Sequence, residues 1–254
     1  MRAYGPEWFR RSRSSRFRRW WRRGLWGLAE GLVTLGVVLL LLVVHQLWWT
    51  NLRAQRDAER SVERLEEEWG EPSQFPSGLH TPSSSSSSSA PRSPSASRPS
   101  VSADSPRPYA ILTIPRLDLR VPVARGVGKA GVLNKGYAGH YPGTQEPGQA
   151  GNFAVAGHRN THGEPFRYVD RLRAGDEVVV ETGTAVYVYR VDQTLDRTSP
   201  GDVGVVGPVP RSAVRPGAGY REPGYYLTLT TCTPEYSSAY RLIVWGKLVS
   251  MRPR

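Results

Sequence analysis

Cys232 is the only cysteine among 254 residues, and it stands in YYLTLTTCTPEYSSAYRLIVWGKL. An alternating strand over YLTLTTC puts Leu227, Leu229 and Thr231 on one face and Thr228, Thr230 and Cys232 on the other. The leucines suit a core, so the thiol stands at a strand end on the more polar side. A single cysteine is an inert core residue, half of an intermolecular bridge, or a reactive thiol. A nucleophilic thiol needs a neighbour that takes or balances its proton. Of five histidines, His45 lies in a long apolar segment and His80 in a Ser/Pro-rich stretch. His140, His158 and His162 remain. His158 follows GNFAVAG, a second strand end, and is the expected partner; His162, four residues on, competes for that role. His140, in YAGHYPGT, lines a pocket or caps a turn. Arg241 opens RLIVWGKL on the face shared by Ile243 and Trp245. If that strand pairs with the cysteine strand, Arg241 reaches the thiol and can stabilise an oxyanion of acyl transfer; otherwise it is a surface ion pair. A zinc site on His158 and His162 lacks further ligands.

The elements that must position these groups are mostly strands. YAILTI, VPVARG, NFAVAG, EVVVET, TAVYVYRV, VGVV, YYLTLTTC and RLIVWGKLV all read as short strands bounded by turn residues. EPFRYVDRL, residues 164–172, is the one good short-helix candidate. Residues 108–254 therefore form an all-β domain of ordinary size, and periodicity leaves barrel and sandwich both open.

The formal charge of +12 is concentrated at the start of the chain: residues 1–23 hold nine arginines and one glutamate. The remainder is only mildly basic, which argues against nucleic acid as a partner. GLVTLGVVLLLLVVHQLWW, residues 31–49, is uncharged and close to the roughly 20 residues that cross a bilayer core. Trp21, Trp48 and Trp49 stand where interfacial aromatics belong. The run exceeds a signal-peptide core and lacks a small-residue cleavage site, so an uncleaved anchor over 24–49 is expected. Its arginine flank, 1–23, makes a cytoplasmic tail, and the chain beyond the anchor lies outside the cell. Residues 50–69 read as a charged juxtamembrane helix in which Glu59, Arg60, Glu63 and Arg64 suit local side-chain pairing. Residues 70–107, with seven consecutive serines, read as a disordered Ser/Pro-rich linker.

TLTTC followed by RLIV, with AVAGHRNTHGEPF upstream, resembles the signature of the sortases across nearly all of 108–254. The YAGHYPGT and GNFAVAGHR blocks are similar to class E, the housekeeping type of high-GC Gram-positive actinobacteria. The resemblance implies a closed eight-stranded sortase-type β-barrel with short helices, preceded by a single transmembrane helix. It implies a cysteine transpeptidase that cleaves an LAxTG- or LPxTG-type C-terminal sorting signal between Thr and Gly. A thioacyl intermediate then passes to an amine of a cell-wall precursor. Cys232 would be the nucleophile, His158 the general acid and base, paired with it as imidazolium and thiolate, and Arg241 the oxyanion or backbone contact. Tyr141 would help read the second signal residue, with His140, Thr230 and Thr231 beside the substrate. Implied partners are surface proteins bearing a sorting signal, the lipid-linked peptidoglycan precursor and the plasma membrane. No cofactor or metal is expected. The rival readings are an L,D-transpeptidase, which would carry serine and glycine before its cysteine, and a non-enzymatic wall-binding module, which would not need the thiol.

Overall fold

The structure is a computed structural model that describes residues 13–70 and 106–254. The first twelve residues of the arginine-rich tail, and 71–105 of the expected linker with His80, lie outside the described residues. The chain divides into two units, Met1–Trp49 and Thr50–Arg254.

In the first unit, α1 (Arg13–Gly70) begins and carries the apolar segment, whose described side chains from Leu25 to Val44 are exposed. Its most apolar window has a mean hydropathy of 2.4 and no buried part, so the helix is long and apolar enough to cross a membrane.

The second unit is a closed barrel in the order β1-β2-β3-β4-β7-β8-β6-β5. The strands are β1 (Pro108–Ile114), β2 (Leu119–Arg125), β3 (Ala138–His140), β4 (Gly151–Ala156), β5 (Glu177–Thr182), β6 (Ala185–Thr198), β7 (Tyr225–Thr233) and β8 (Tyr240–Pro253). Closure pairs β1 with β5 and removes the exposed edges of an open sheet. Alternation divides each strand between interior and exterior. Ala110, Leu112 and Ile114 of β1, Leu227 and Leu229 of β7, and Leu242 and Val244 of β8 fill the interior with Phe153, Val155 and Phe166.

Two exterior faces are also covered. Over β7 and β8, Tyr226, Ile243 and the fully buried Trp245 pack under Val205 and Tyr220 of the β6–β7 loop. Over β1, the C-terminal part of α1 lays Val62 and Leu65 on Ile111, and Ala58 against Ala124, Val132 and Tyr137. Ion pairing of Arg120 with Glu66 and the Arg254 guanidinium over the Trp69 ring hold the end of this helix. Thus the charged segment after Trp49 is helical, and one of its faces is a barrel contact. Asp57, rather than a glutamate, pairs with Arg60.

Three local expectations fail. VGVV is a 3-10 turn, Val203–Val206, because the Val205 carbonyl accepts from the Trp245 indole N–H at 3.0 Å and the turn lies flat on the barrel. EPFRYVDRL forms turns and a 3-10 segment, Val169–Arg171. Glu164 has φ +52°, and the Phe166 amide donates to the His158 carbonyl at 3.0 Å, which folds the chain back instead of opening a helix. Finally, YAGHY contributes a three-residue strand, β3, paired parallel with β2 and antiparallel with β4.

Candidate active site

β4 and β7 are parallel neighbours, with Ala156 opposite Thr230. Parallel strands end on the same side, so the residues following β4 arrive beside the C-terminal end of β7. The Gly157 amide continues the ladder to the Thr230 carbonyl at 3.1 Å, and the Thr231 hydroxyl donates to the Gly157 carbonyl at 2.8 Å. His158 is the next residue and Cys232 stands near the end of β7. A Cβ on Gly157 would lie 2.6 Å from the Phe166 ring, so only glycine lets the chain turn here against the core. β8 runs antiparallel to β7 and sets Arg241 directly opposite Cys232. The register therefore brings Cys232, His158 and Arg241 to one end of the β4–β7–β8 surface, and leaves the thiol half-buried.

His158 is oriented from outside its own loop. Its Nε2–H donates to Asn134 Oδ1 at 2.9 Å, which leaves Nδ1 with the free lone pair. Asn134 belongs to a 3-10 turn, Leu133–Lys135, between β2 and β3. The imidazole of His162 stacks on that of His158, with ring centroids 5.3 Å apart. Burial, with smaller contributions from His162 and Lys129, pushes the His158 pKa down to about 4. Desolvation lowers that of His162 as well. The low pKa favours the neutral form of the His158 imidazole.

The Arg241 guanidinium donates through Nη1 to the carbonyls of Ser238 and Tyr240, at 2.9 and 3.0 Å. It is thereby held on the β7–β8 connection beside the cysteine. Tyr141 and Thr230 share a hydroxyl hydrogen bond of 3.0 Å, which ties the β3–β4 loop to the cysteine strand. Thr230 and Thr231 are both buried. His140 is 4 % exposed: its Nδ1 is 2.7 Å from the Tyr109 hydroxyl, its Nε2 is 3.1 Å from the Gln145 carbonyl, and its ring lies edge-on to Phe153. Desolvation lowers its pKa. Through the Gln145 carbonyl it ties down the loop that carries Tyr141.

Arg159 was not singled out by sequence. It is 8 % exposed, donating to the Cys232 carbonyl at 3.4 Å, to Thr233 Oγ1 at 3.2 Å and to Asp170 at 2.9 Å. Its one signal in the sequence is adjacency to His158, just past the end of β4. Asn134 has no such signal, since 24 residues separate it from His158. Among the described residues, no group of three or more His, Cys, Asp and Glu side chains gathers as a cation site.

The arrangement pairs a partly exposed thiol, an oriented neutral imidazole and a guanidinium, which together suit acyl transfer through a thioester. A family model described as the Sortase domain matches residues 112–249. Sortase SrtE1 of Streptomyces coelicolor is 43% identical over 232 residues, 89% of this chain and 58% of that protein. This chain thus spans 58% of the length of that relative. Sortase SrtE2 of the same organism is 34% identical over 231 residues, 87% of this chain and 81% of that one. The crystal structure of Sortase E1 from Streptomyces coelicolor, with a tripeptide in its active site, is 51% identical, with a TM-score of 0.55 over 58% of this chain and 91% of that chain. Sortase E from Streptomyces avermitilis is 47% identical, with a TM-score of 0.51 over 57% and 90%. The chain belongs to the sortase family, and within it to class E.

Proposed function

We propose that this protein is a membrane-anchored sortase that cuts an LAxTG- or LPxTG-type sorting signal between Thr and Gly and joins the new acyl end to a cell-wall precursor amine. The observation that carries the reading is the register: Cys232 opposite Arg241, and the segment ending in His158 alongside. In this mechanism Cys232 Sγ attacks the Thr carbonyl carbon while His158 Nδ1 takes the thiol proton. Arg241 exchanges its loop carbonyls for the developing oxyanion or the peptide backbone. Collapse breaks the Thr–Gly C–N bond, and His158 gives its proton to the departing glycine amine. The acceptor amine then attacks the thioester, loses a proton to His158 and frees the Cys232 thiol. Water competes slowly as an acceptor.

Tyr141 reads the second residue of the signal from its position beside Thr230. Thr230 and Thr231 hold the cysteine strand, and His140 supports the Tyr141 loop. No metal or cofactor takes part. The apolar part of α1 anchors the chain, with the arginine tail cytoplasmic and residues 108–254 extracellular beyond a Ser/Pro-rich linker. Surface proteins with sorting signals and the lipid-linked peptidoglycan precursor are the partners, met at the outer face of the plasma membrane.

The test uses the full chain in phospholipid nanodiscs with LAETG and LPETG peptides and an amine acceptor, read by mass spectrometry. Cleavage after Thr with ligation of the acceptor, lost in Cys232→Ala, is the expected result. Absence of a thioacyl adduct and of product from folded protein with both peptides would overturn it. In Tyr141→Phe the ratio of the two peptides' kcat/KM should change.

A further inference from the structure

Three consecutive residues after the histidine loop occupy the left-handed region: His162 at φ +52°, Gly163 at +85° and Glu164 at +52°. Glycine accepts this conformation, but the two flanking side chains do so at a cost that the surroundings must offset. The surroundings are the helix that follows the apolar segment. Asn51 Oδ1 accepts from the Gly163 amide at 2.6 Å, and Gln55 Nε2 donates to the Gly163 carbonyl at 3.4 Å, so both backbone polar groups of Gly163 are held by α1. Packing closes the same seam. A Cβ on Gly136 would meet the Ala54 carbonyl oxygen at 2.9 Å and that of His162 at 3.3 Å, so helix and turn meet across bare backbone.

The turn also carries the ring that stacks on His158. His162 Nδ1 is buried with no hydrogen-bond partner, so no hydrogen bond at that nitrogen fixes the ring, which stacks on His158. On the far side, Glu164 pairs with Arg167, which reaches Glu235 at 3.0 Å and the Tyr236 hydroxyl at 3.1 Å in the β7–β8 connection.

We propose that Asn51 is a positioning residue for the reaction: through Gly163 it clamps the strained 162–164 turn and holds His162 against His158. The proposal rests on the transpeptidase reading above. It gives the juxtamembrane helix a role in the chemistry, beginning two residues after the last tryptophan of the apolar segment. Loss of the clamp lets the turn relax, and His158 then samples orientations in which its Nδ1 no longer meets the thiol. Misplacement of this kind costs on the order of tenfold to a hundredfold in turnover.

The experiment compares wild type, Asn51→Ala and Asn51→Asp as full chains in nanodiscs; the aspartate keeps the acceptor oxygen. Expected for Asn51→Ala is a fall in kcat of about tenfold or more with KM within about twofold. Faster amide exchange should be confined to 158–166, and both effects should be restored in Asn51→Asp. Ala58→Asp, which sets a carboxylate against Tyr137 in the helix–barrel seam, undocks the helix by a second route and should also speed exchange at 158–166, together with the barrel face that the helix covers. Unchanged kcat in Asn51→Ala, unchanged exchange at 158–166, or no restoration by aspartate overturns the proposal. If wild type itself leaves the signal peptides intact, the transpeptidase reading fails on that result, and the exchange comparison alone decides the clamp.

Discussion

Arg159 grips the backbone of Cys232: its guanidinium donates to the cysteine carbonyl at 3.4 Å and to the next residue's hydroxyl at 3.2 Å, while Asp170 balances its charge at 2.9 Å. Removing one partner of a buried, charge-assisted contact typically costs several kcal/mol because the other partner is stranded. Here the stranded groups are the end of β7 and an acid that is still partly solvated, so the structural loss is smaller. Arg159→Ala should lower thermal stability by about 1–3 kcal/mol and reduce kcat/KM through a displaced thiol. Arg159→Lys keeps the charge but not the fork, and should recover stability more than activity. Calorimetry and peptide kinetics on the three proteins separate the two effects.

The depressed pKa of His158 makes a prediction about pH. A ring that stays neutral down to about pH 4 remains a usable base there, so the acidic limb of kcat/KM should fall near 4, well below the ordinary 6.5. Stability follows the same linkage. Between pH 6.5 and 4 the unfolded chain binds protons that the folded His158 refuses, so stability falls as pH drops through that window. His140 and His162, lowered by desolvation, act in the same direction. Carboxylates lowered in the fold, such as Asp192 and Asp202, lose their contribution only below that range. Thermal melts from pH 7 to 4.5 should show a steeper decline in wild type than in His158→Gln.

The strand alternation that put Leu227 and Leu229 inside and Cys232 outside was legible because a two-residue period survives wherever one face is core. The pairing of that strand with Arg241 was legible from a short connection between two strong strands. That β4 and β7 are parallel neighbours was not legible, since 68 residues and two strands separate their ends. Periodicity carries no information about partners across such a distance. β3 escaped detection because three residues cannot display a period. VGVV misled for the opposite reason: its apolar residues serve a covered exterior face, which has strand composition without strand hydrogen bonds. Asn134 and Asn51 are invisible for a common reason, and the contacts of Arg159 share it. Each acts on a neighbour that only the closed barrel brings near.

Asn134→Asp tests the orientation of His158 by charge. An aspartate in place of the amide keeps an acceptor for Nε2–H and adds a negative charge 2.9 Å from the ring. An opposite charge at that distance favours the protonated ring. The acidic limb of kcat/KM should therefore move upward from about 4, by about one to two pH units. Asn134→Ala removes the acceptor without adding charge, and should lower kcat while leaving the limb nearer its original position. NMR titration of the His158 ring in Cys232→Ala protein reads the same shift without turnover. A limb and a titration that coincide in wild type and Asn134→Asp would exclude the amide as the group that orients the imidazole.

Gly157→Ala tests how tightly the turn into His158 is set. Its backbone lies between the ladder bond to Thr230 and the Phe166 ring, which a new methyl would meet at 2.6 Å. Phe166 is fully buried in the main core and cannot swing out, so the strain must go into the β4 end. Overpacking of this kind costs about 1–3 kcal/mol. The displaced segment carries His158, so the activity loss should exceed what the fraction unfolded explains. Adding Phe166→Leu to Gly157→Ala removes ring atoms from the collision. If the clash is the cause, the second substitution should cost less in the alanine background than in wild type, a coupling of about 1 kcal/mol or more. Equal costs in both backgrounds would mean that the methyl is accommodated and that His158 is positioned by Asn134 and His162 alone.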